Sequence, residues 1–194
     1  MSRGAKEEII DVFCKELKTT SMDKITVTEI IEKSGISRNT FYYHFEDIYD
    51  LLRLVIDREQ QKLTESSFQL QSWQDVLRHL IRYARTHKKE IYHIFNALPR
   101  ERIEQYIFTT TKDILYQIVR LDAKGLDVSE EDIMSIAIFY QYAITGFFLR
   151  FLWGNMEMNA DTQIDKLSLV FDDNIHHVLE KCAERNKHNK YIAE

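Results

Sequence analysis

Residues 24–45, "KITVTEIIEKSGISRNTFYYHF", write the same local grammar twice. Thr26 and Glu29 are spaced as a capping box, and Ile25 and Ile30 take the flanking N′ and N4 positions of a hydrophobic staple. That spacing predicts a short helix over residues 27–34. After Gly35 the pattern repeats: Ser37 is a second cap, and Ile36 and Phe41 are the next staple. Two short helices, each stapled at its entry and separated by a three-residue turn containing glycine, make a helix-turn-helix.

At about 100° per residue, Phe41 and Phe45 fall on one side of the second helix. Asn39 and Tyr43 lie on the other, flanked by Arg38, Thr40, Tyr42 and His44. The phenylalanines are expected in the core, and the polar and tyrosyl residues on an open face whose chemistry suits duplex DNA. Asn39 offers a donor and an acceptor to an adenine edge, Arg38 can reach guanine or a phosphate, and Thr40 can touch a thymine methyl. Tyr42, Tyr43 and His44 can donate to phosphates, which sets register without reading sequence. An ordinary helical hairpin, its tyrosines resting on other helices, also fits a generic pair of short helices. The two staples, the two caps and the open face together favour a recognition helix that enters a major groove.

Upstream, "AKEEIIDVFCKELKTT" sets Ile9, Ile10, Phe13 and Leu17 on one face of an amphipathic helix. Downstream, a long helix begins near Asp47, carries Leu51, Leu52, Val55 and Ile56, and runs to about residue 66.

With these flanks, "KITVTEIIEKSGISRNTFYYHFEDIYDLL" closely resembles the N-terminal DNA-binding segment of TetR-family (TetR/AcrR) transcriptional regulators. The resemblance covers about residues 6–56 and rests on the Thr26 cap, Gly35, Ser37, "TFYYHF" and the following "YDLL". It implies that Thr26, Thr28, Arg38, Asn39, Thr40, Tyr42, Tyr43 and His44 lie near DNA. One position departs from it: the family commonly opens its fourth helix with a phosphate-touching lysine, and this chain has Ile48 among Glu46, Asp47 and Asp50. The loss of one phosphate contact implies modest affinity or a steeper requirement for low salt. Lys24, Lys33 and Arg3 are the candidates to compensate.

Beyond residue 66, Ser72 with Asp75 and Ser129 with Asp132 open two further helices, Pro99 breaks the chain, and a final helix is expected from about Asp161 to Lys187. The fold expected is all-α: a three-helix helix-turn-helix domain over residues 1–50, then a larger helical bundle over 51–194, about nine helices in total. This second part resembles the family's C-terminal regulatory domain in helix order only.

Composition is compatible with this. Over 194 residues, 44% hydrophobic and 29% charged content suits a globular chain, and one proline with five scattered glycines leaves no linker tract. No uninterrupted apolar run approaches the roughly 18 residues of a membrane span, and acids occupy the place of a signal peptide's apolar stretch. The expected location is the cytoplasm, with no membrane partner. Cys14 and Cys182 lack metal-type spacing and suit a reducing compartment. The net charge of −5 withholds the overall basic character common in DNA binders, so local structure must carry the binding.

A single helix-turn-helix covers one half-site, so a homodimer on a pseudo-palindromic operator is expected. Phe147, Phe148, Phe151, Leu167, Val170, Phe171 and Ile175, on the last two helices, are the candidate interface; the resemblance implies a four-helix bundle with the symmetry mate. Gly146 would allow close approach. The same apolar surface could instead pack wholly within one subunit. His79, Tyr83 and His87 recur every four residues and so share one helical face, with Tyr92, His93 and Asn96 on the next helix; with Tyr116 and Tyr140 or Tyr142 opposite, they could line an effector pocket, or, beside Arg82 and Arg85, form a solvated face.

No metal site or cofactor is implied, since two histidines at that spacing lack further ligands and His176 and His177 diverge by about 100°. Neither a Gly-rich phosphate loop nor a nucleophile with a base is found, so no catalytic residues are assigned and no enzyme is expected. The function expected is a repressor, with a small-molecule or a protein effector.

Overall fold

Both caps of the decisive segment form. The Glu29 backbone N–H donates to Thr26 Oγ1 at 3.2 Å, and the Thr26 N–H donates to Glu29 Oε2 at 3.0 Å. The Thr40 N–H donates to Ser37 Oγ at 3.1 Å. The structure, a computed structural model, describes residues 4–67, 69–171 and 173–193, without the side chains of 64, 66, 67 and 189–193. Arg3 lies outside the described residues.

Regular structure among them is helical throughout. The elements are α1 Ala5–Leu17, a 3-10 turn Met22–Lys24, α2 Val27–Ser34, α3 Arg38–His44 and α4 Ile48–Ser67. Next come α5 Trp73–Thr86, α6 Lys88–Phe95, α7 Arg100–Asp122, α8 Glu130–Trp153, α9 Ala160–Phe171 and α10 Asn174–Ala193. They divide into two packing units. One takes the described chain up to Leu63 together with Thr86–Ile103, so it holds α6 and most of α4 as well as α1, α2 and α3; the other takes Thr64–Arg85 and Glu104 onward.

In the first unit, Ile9, Phe13 and Leu17 of α1 pack with Ile30 of α2, Phe41 of α3 and Leu51, Leu52 and Val55 of α4. Both staples feed this core: Ile25, Ile30 and Phe41 are buried, and Ile36 packs against them half-buried. Gly35 ends α2 at φ 69°, a left-handed conformation that β-carbon sterics make unfavourable for most residues. Arg58 of α4 grips Glu7 of α1 with two hydrogen bonds of 2.8 and 2.7 Å.

In the second unit, α5 turns Trp73, Val76, Leu77, Leu80, Ile81 and Ala84 inward, a stripe at helical spacing. Arg78 pairs with Asp165 at 2.7 Å and Arg85 with Asp161 at 3.1 Å, tying α5 to α9. Asp132, through Ser129 and Arg185, joins the start of α8 to α10: Ser129 Oγ accepts from the Asp132 N–H at 3.1 Å, and Arg185 donates to its carboxylate at 2.7 Å.

Three expectations change. The terminal helix expected over 161–187 is two helices, α9 and α10, with Asp173 at φ 57° between them. His87 does not share a helical face with His79 and Tyr83, because α5 ends at Thr86 and His87 precedes α6 at φ −111°, ψ 35°. Counting uninterrupted apolar residues understates α8, which by length and composition alone could cross a membrane. Its Ile133, Ala137, Tyr140, Ile144, Phe148 and Phe151 are instead buried within the second unit, as in the core helix of a bundle.

Candidate nucleic-acid interface

Phe41 and Phe45 hold α3 from behind: both are buried, with ring centroids 5.7 Å apart. On the opposite side Tyr43 is 84% exposed, the most exposed of the aromatic side chains on α3, and meets the His44 ring edge-on at 5.0 Å. Tyr42 is lateral; its ring lies 5.9 Å from the Arg38 guanidinium, a cation–π contact that steadies a long side chain. Arg38 and Asn39 are exposed at the first turn of α3.

Two of the threonines also serve the local fold. Thr40 Oγ1 lies 2.8 Å from Ser37 Oγ, and the Thr26 hydroxyl donates to Glu29 Oε2 at 3.0 Å. Thr28 is exposed on the first turn of α2. The residues expected near DNA are thus carried by α2 and α3 on one small, well-capped unit.

The start of α4 is acidic and already satisfied. Asp47 Oδ1 accepts from the Tyr49 and Asp50 N–H groups, each at 2.8 Å, and Asp50 Oδ2 accepts from the Glu46 N–H at 3.2 Å. A helix N-terminus is ordinarily a good seat for a phosphate, but here a carboxylate from the chain takes that role. Ile48 is half-buried against the core. Of the cations expected to compensate, Lys33 is paired with Glu16 at 2.7 Å, which binds α2 to α1, while Lys24 is exposed.

Asp47→Asn keeps a capping oxygen and removes one negative charge. It is expected to tighten binding to duplex DNA about two- to fivefold at low salt, the gain shrinking as salt rises, with stability little changed. A fluorescence-anisotropy titration at two ionic strengths checks this.

Comparison with known proteins agrees with this geometry. Residues 9–55 match the family model for "Bacterial regulatory proteins, tetR family", and residues 71–173, more than half of the chain, match that for "Transcriptional regulator C-terminal region". The chain belongs to the TetR family. No curated protein matches it. Among solved structures, the dihydroxyacetone kinase operon activator DhaS is 17% identical, over 83% of this chain and 96% of that one, with a TM-score of 0.49. A TetR family transcriptional regulator from Chloroflexus aurantiacus J-10-FL is 16% identical, over 97% and 94%, with a TM-score of 0.39.

As a TetR-family protein it is a DNA-binding regulator of transcription, and the remaining candidate residues, Ile175 apart, fall within the matched C-terminal region, residues 71–173. His79, Tyr83 and Tyr116 fall in the second packing unit, and His87, Tyr92 and His93 in the first. Burial and the neighbouring Arg82 lower the pKa of His79, so it favours the neutral form. The Tyr116 hydroxyl donates to Glu130 at 2.6 Å and accepts from Arg120 at 3.2 Å. His93 is bonded to the Leu17 carbonyl.

The candidate dimer residues also separate. Phe148, Phe151 and Ile175 are buried in the chain's own core, with Phe151 under the Arg85 guanidinium at 5.5 Å; Phe147 and Leu167 are half-buried, and Val170 and Phe171 are exposed. Sequence reasoning missed Ile138 and Phe139 of α8 and Leu169 of α9, and weighed Tyr142 only for the pocket; all four are exposed. The helix is apolar on most of its circumference, so periodicity alone does not say which stripe turns outward.

Proposed function

We propose that this regulator is a homodimeric repressor that occupies a pseudo-palindromic operator in the cytoplasm and is modulated by an effector in residues 51–194, with residues 1–50 reading the DNA. In this reading Arg38, Asn39 and Thr40 address base edges, and Thr26, Thr28, Tyr42, Tyr43 and His44 hold phosphates. The effector acts by binding one spacing of the two α3 helices better than another.

The observation that carries the dimer is an inversion of polarity on α8. It buries Gln141 and Thr145, yet exposes Ile138, Phe139 at 61% and Tyr142 at 64%. On α9, Leu169 is 88% exposed, beside Val170 and Phe171. Such apolar exposure is what a second subunit would cover. Gly146 supports this, since it is exposed and a β-carbon there would meet nothing within 4 Å. Phe139→Glu combined with Leu169→Glu is expected to yield a monomer in sedimentation velocity at micromolar concentration and to abolish binding to a two-fold site. A double variant that still sediments as a dimer would place the interface elsewhere.

A second reading makes the effector a protein partner instead of a small molecule. It is favoured by Leu121 on α7 and Trp153 at the end of α8, each about half exposed and outside the stretches assigned to the dimer.

A further inference from the structure

Residues 86–103 lie in sequence between α5 and most of α7, yet they pack with the helix-turn-helix. Ile94 of α6, with Ala97 and Leu98 after it, rests on the core that contains Ile30 and Phe41. A polar tie accompanies this packing: His93 Nδ1 lies 2.6 Å from the backbone carbonyl oxygen of Leu17. A carbonyl only accepts, so Nδ1 carries the proton and donates. Leu17 is the last residue of α1, where a helix leaves carbonyls without intrahelical partners. His93 therefore caps α1 from a segment 76 residues away in sequence.

The capped end matters for α3 because of what it packs against. Phe13 and Leu17, on the last turns of α1, belong to the same buried cluster as Phe41, the side chain that seats α3. We propose that His93 is a positioning residue for DNA binding: its Nδ1–H, by holding the end of α1, fixes the seat of α3 and the aim of Arg38, Asn39 and Tyr43. His93 touches no DNA in this account. It acts through α1, and the donor is what counts, not the volume of the ring.

The test uses the full chain and a duplex enriched by the wild type from random DNA. His93→Phe keeps a ring and removes the donor; His93→Leu removes both; His93→Asn places an amide N–H where Nδ1–H stood. The first two are expected to weaken binding about five- to tenfold and to speed amide hydrogen exchange across residues 38–45, while His93→Asn stays within about twofold of wild type in both. Ile94→Ala trims the packing but leaves the donor; it is expected to lower the melting temperature while the folded protein binds DNA normally.

Wild-type binding and exchange in His93→Phe would overturn the proposal, and so would His93→Asn failing as badly as His93→Phe. Tyr43→Ala, run alongside, separates this from the reading of α3 itself. Were that variant also to bind like wild type, α3 would not be the DNA-reading helix, and the exchange rates alone would decide for or against His93.

Discussion

Phe41→Ala is expected to destabilise the first packing unit by about 3–5 kcal/mol, the usual cost of emptying a fully buried phenylalanine site. Phe41 is 0% exposed and touches the rings of Tyr42 and Phe45, with centroids 5.4 and 5.7 Å away. Few side chains could move in to fill the gap, because α1, α2 and α4 are fixed around it by Ile9, Phe13, Ile30 and Leu51, all buried. A penalty of this size is a large share of a small unit's total stability. Chemical denaturation followed by circular dichroism should show the transition of this unit at much lower denaturant, and DNA binding should fall with the folded fraction. A variant that melts like wild type would mean that α3 is not anchored through this ring.

Asn39→Ala is expected to do the opposite: little change in melting, and a loss of operator affinity of about 1–3 kcal/mol, roughly five- to 150-fold. Asn39 is exposed on α3, so its removal leaves no cavity. On the proposed reading, what is lost is a donor–acceptor pair offered to one base edge. Discrimination should therefore relax at one position of each half-site, while the salt dependence set by phosphate contacts stays nearly constant. Repeating the DNA selection with the variant reads this directly. An unchanged consensus would show that Asn39 reads no base. The contrast between the two substitutions separates holding α3 in place from what α3 does.

The helix-turn-helix was legible because its signals are local. A threonine three residues before a glutamate, a glycine at a left-handed turn and a phenylalanine every fourth residue each specify backbone or facing within a few residues. Thr26, Ser37, Gly35, Phe41 and Tyr43 all sit where those signals put them. The pairing of Lys33 with Glu16 was not legible, because it depends on how α2 crosses α1. His87 was misplaced because the chain leaves the helix at Thr86 without a proline or glycine to mark the end.

The C-terminal half was harder for a related reason. α8 is apolar nearly all round, so tertiary packing alone selects which stripe is buried. It selects one containing Gln141, whose amide donates to the Phe108 carbonyl on α7 at 2.5 Å, and leaves Phe139 and Tyr142 outside. A polar residue turned inward to meet a backbone carbonyl across a helix seam has no signature in a single strand of sequence.

In the proposed function Tyr43 is an outward DNA contact on a dimeric reader. The most direct measurement is a binding selection of the purified protein against random duplex DNA, followed by titration of the enriched site with wild type and Tyr43→Ala at two salt concentrations. A two-fold symmetric site, bound roughly tenfold more weakly by Tyr43→Ala with its melting temperature intact, is the predicted result. Either no enrichment even at low salt or a Tyr43→Ala protein that binds the enriched site like wild type would contradict it.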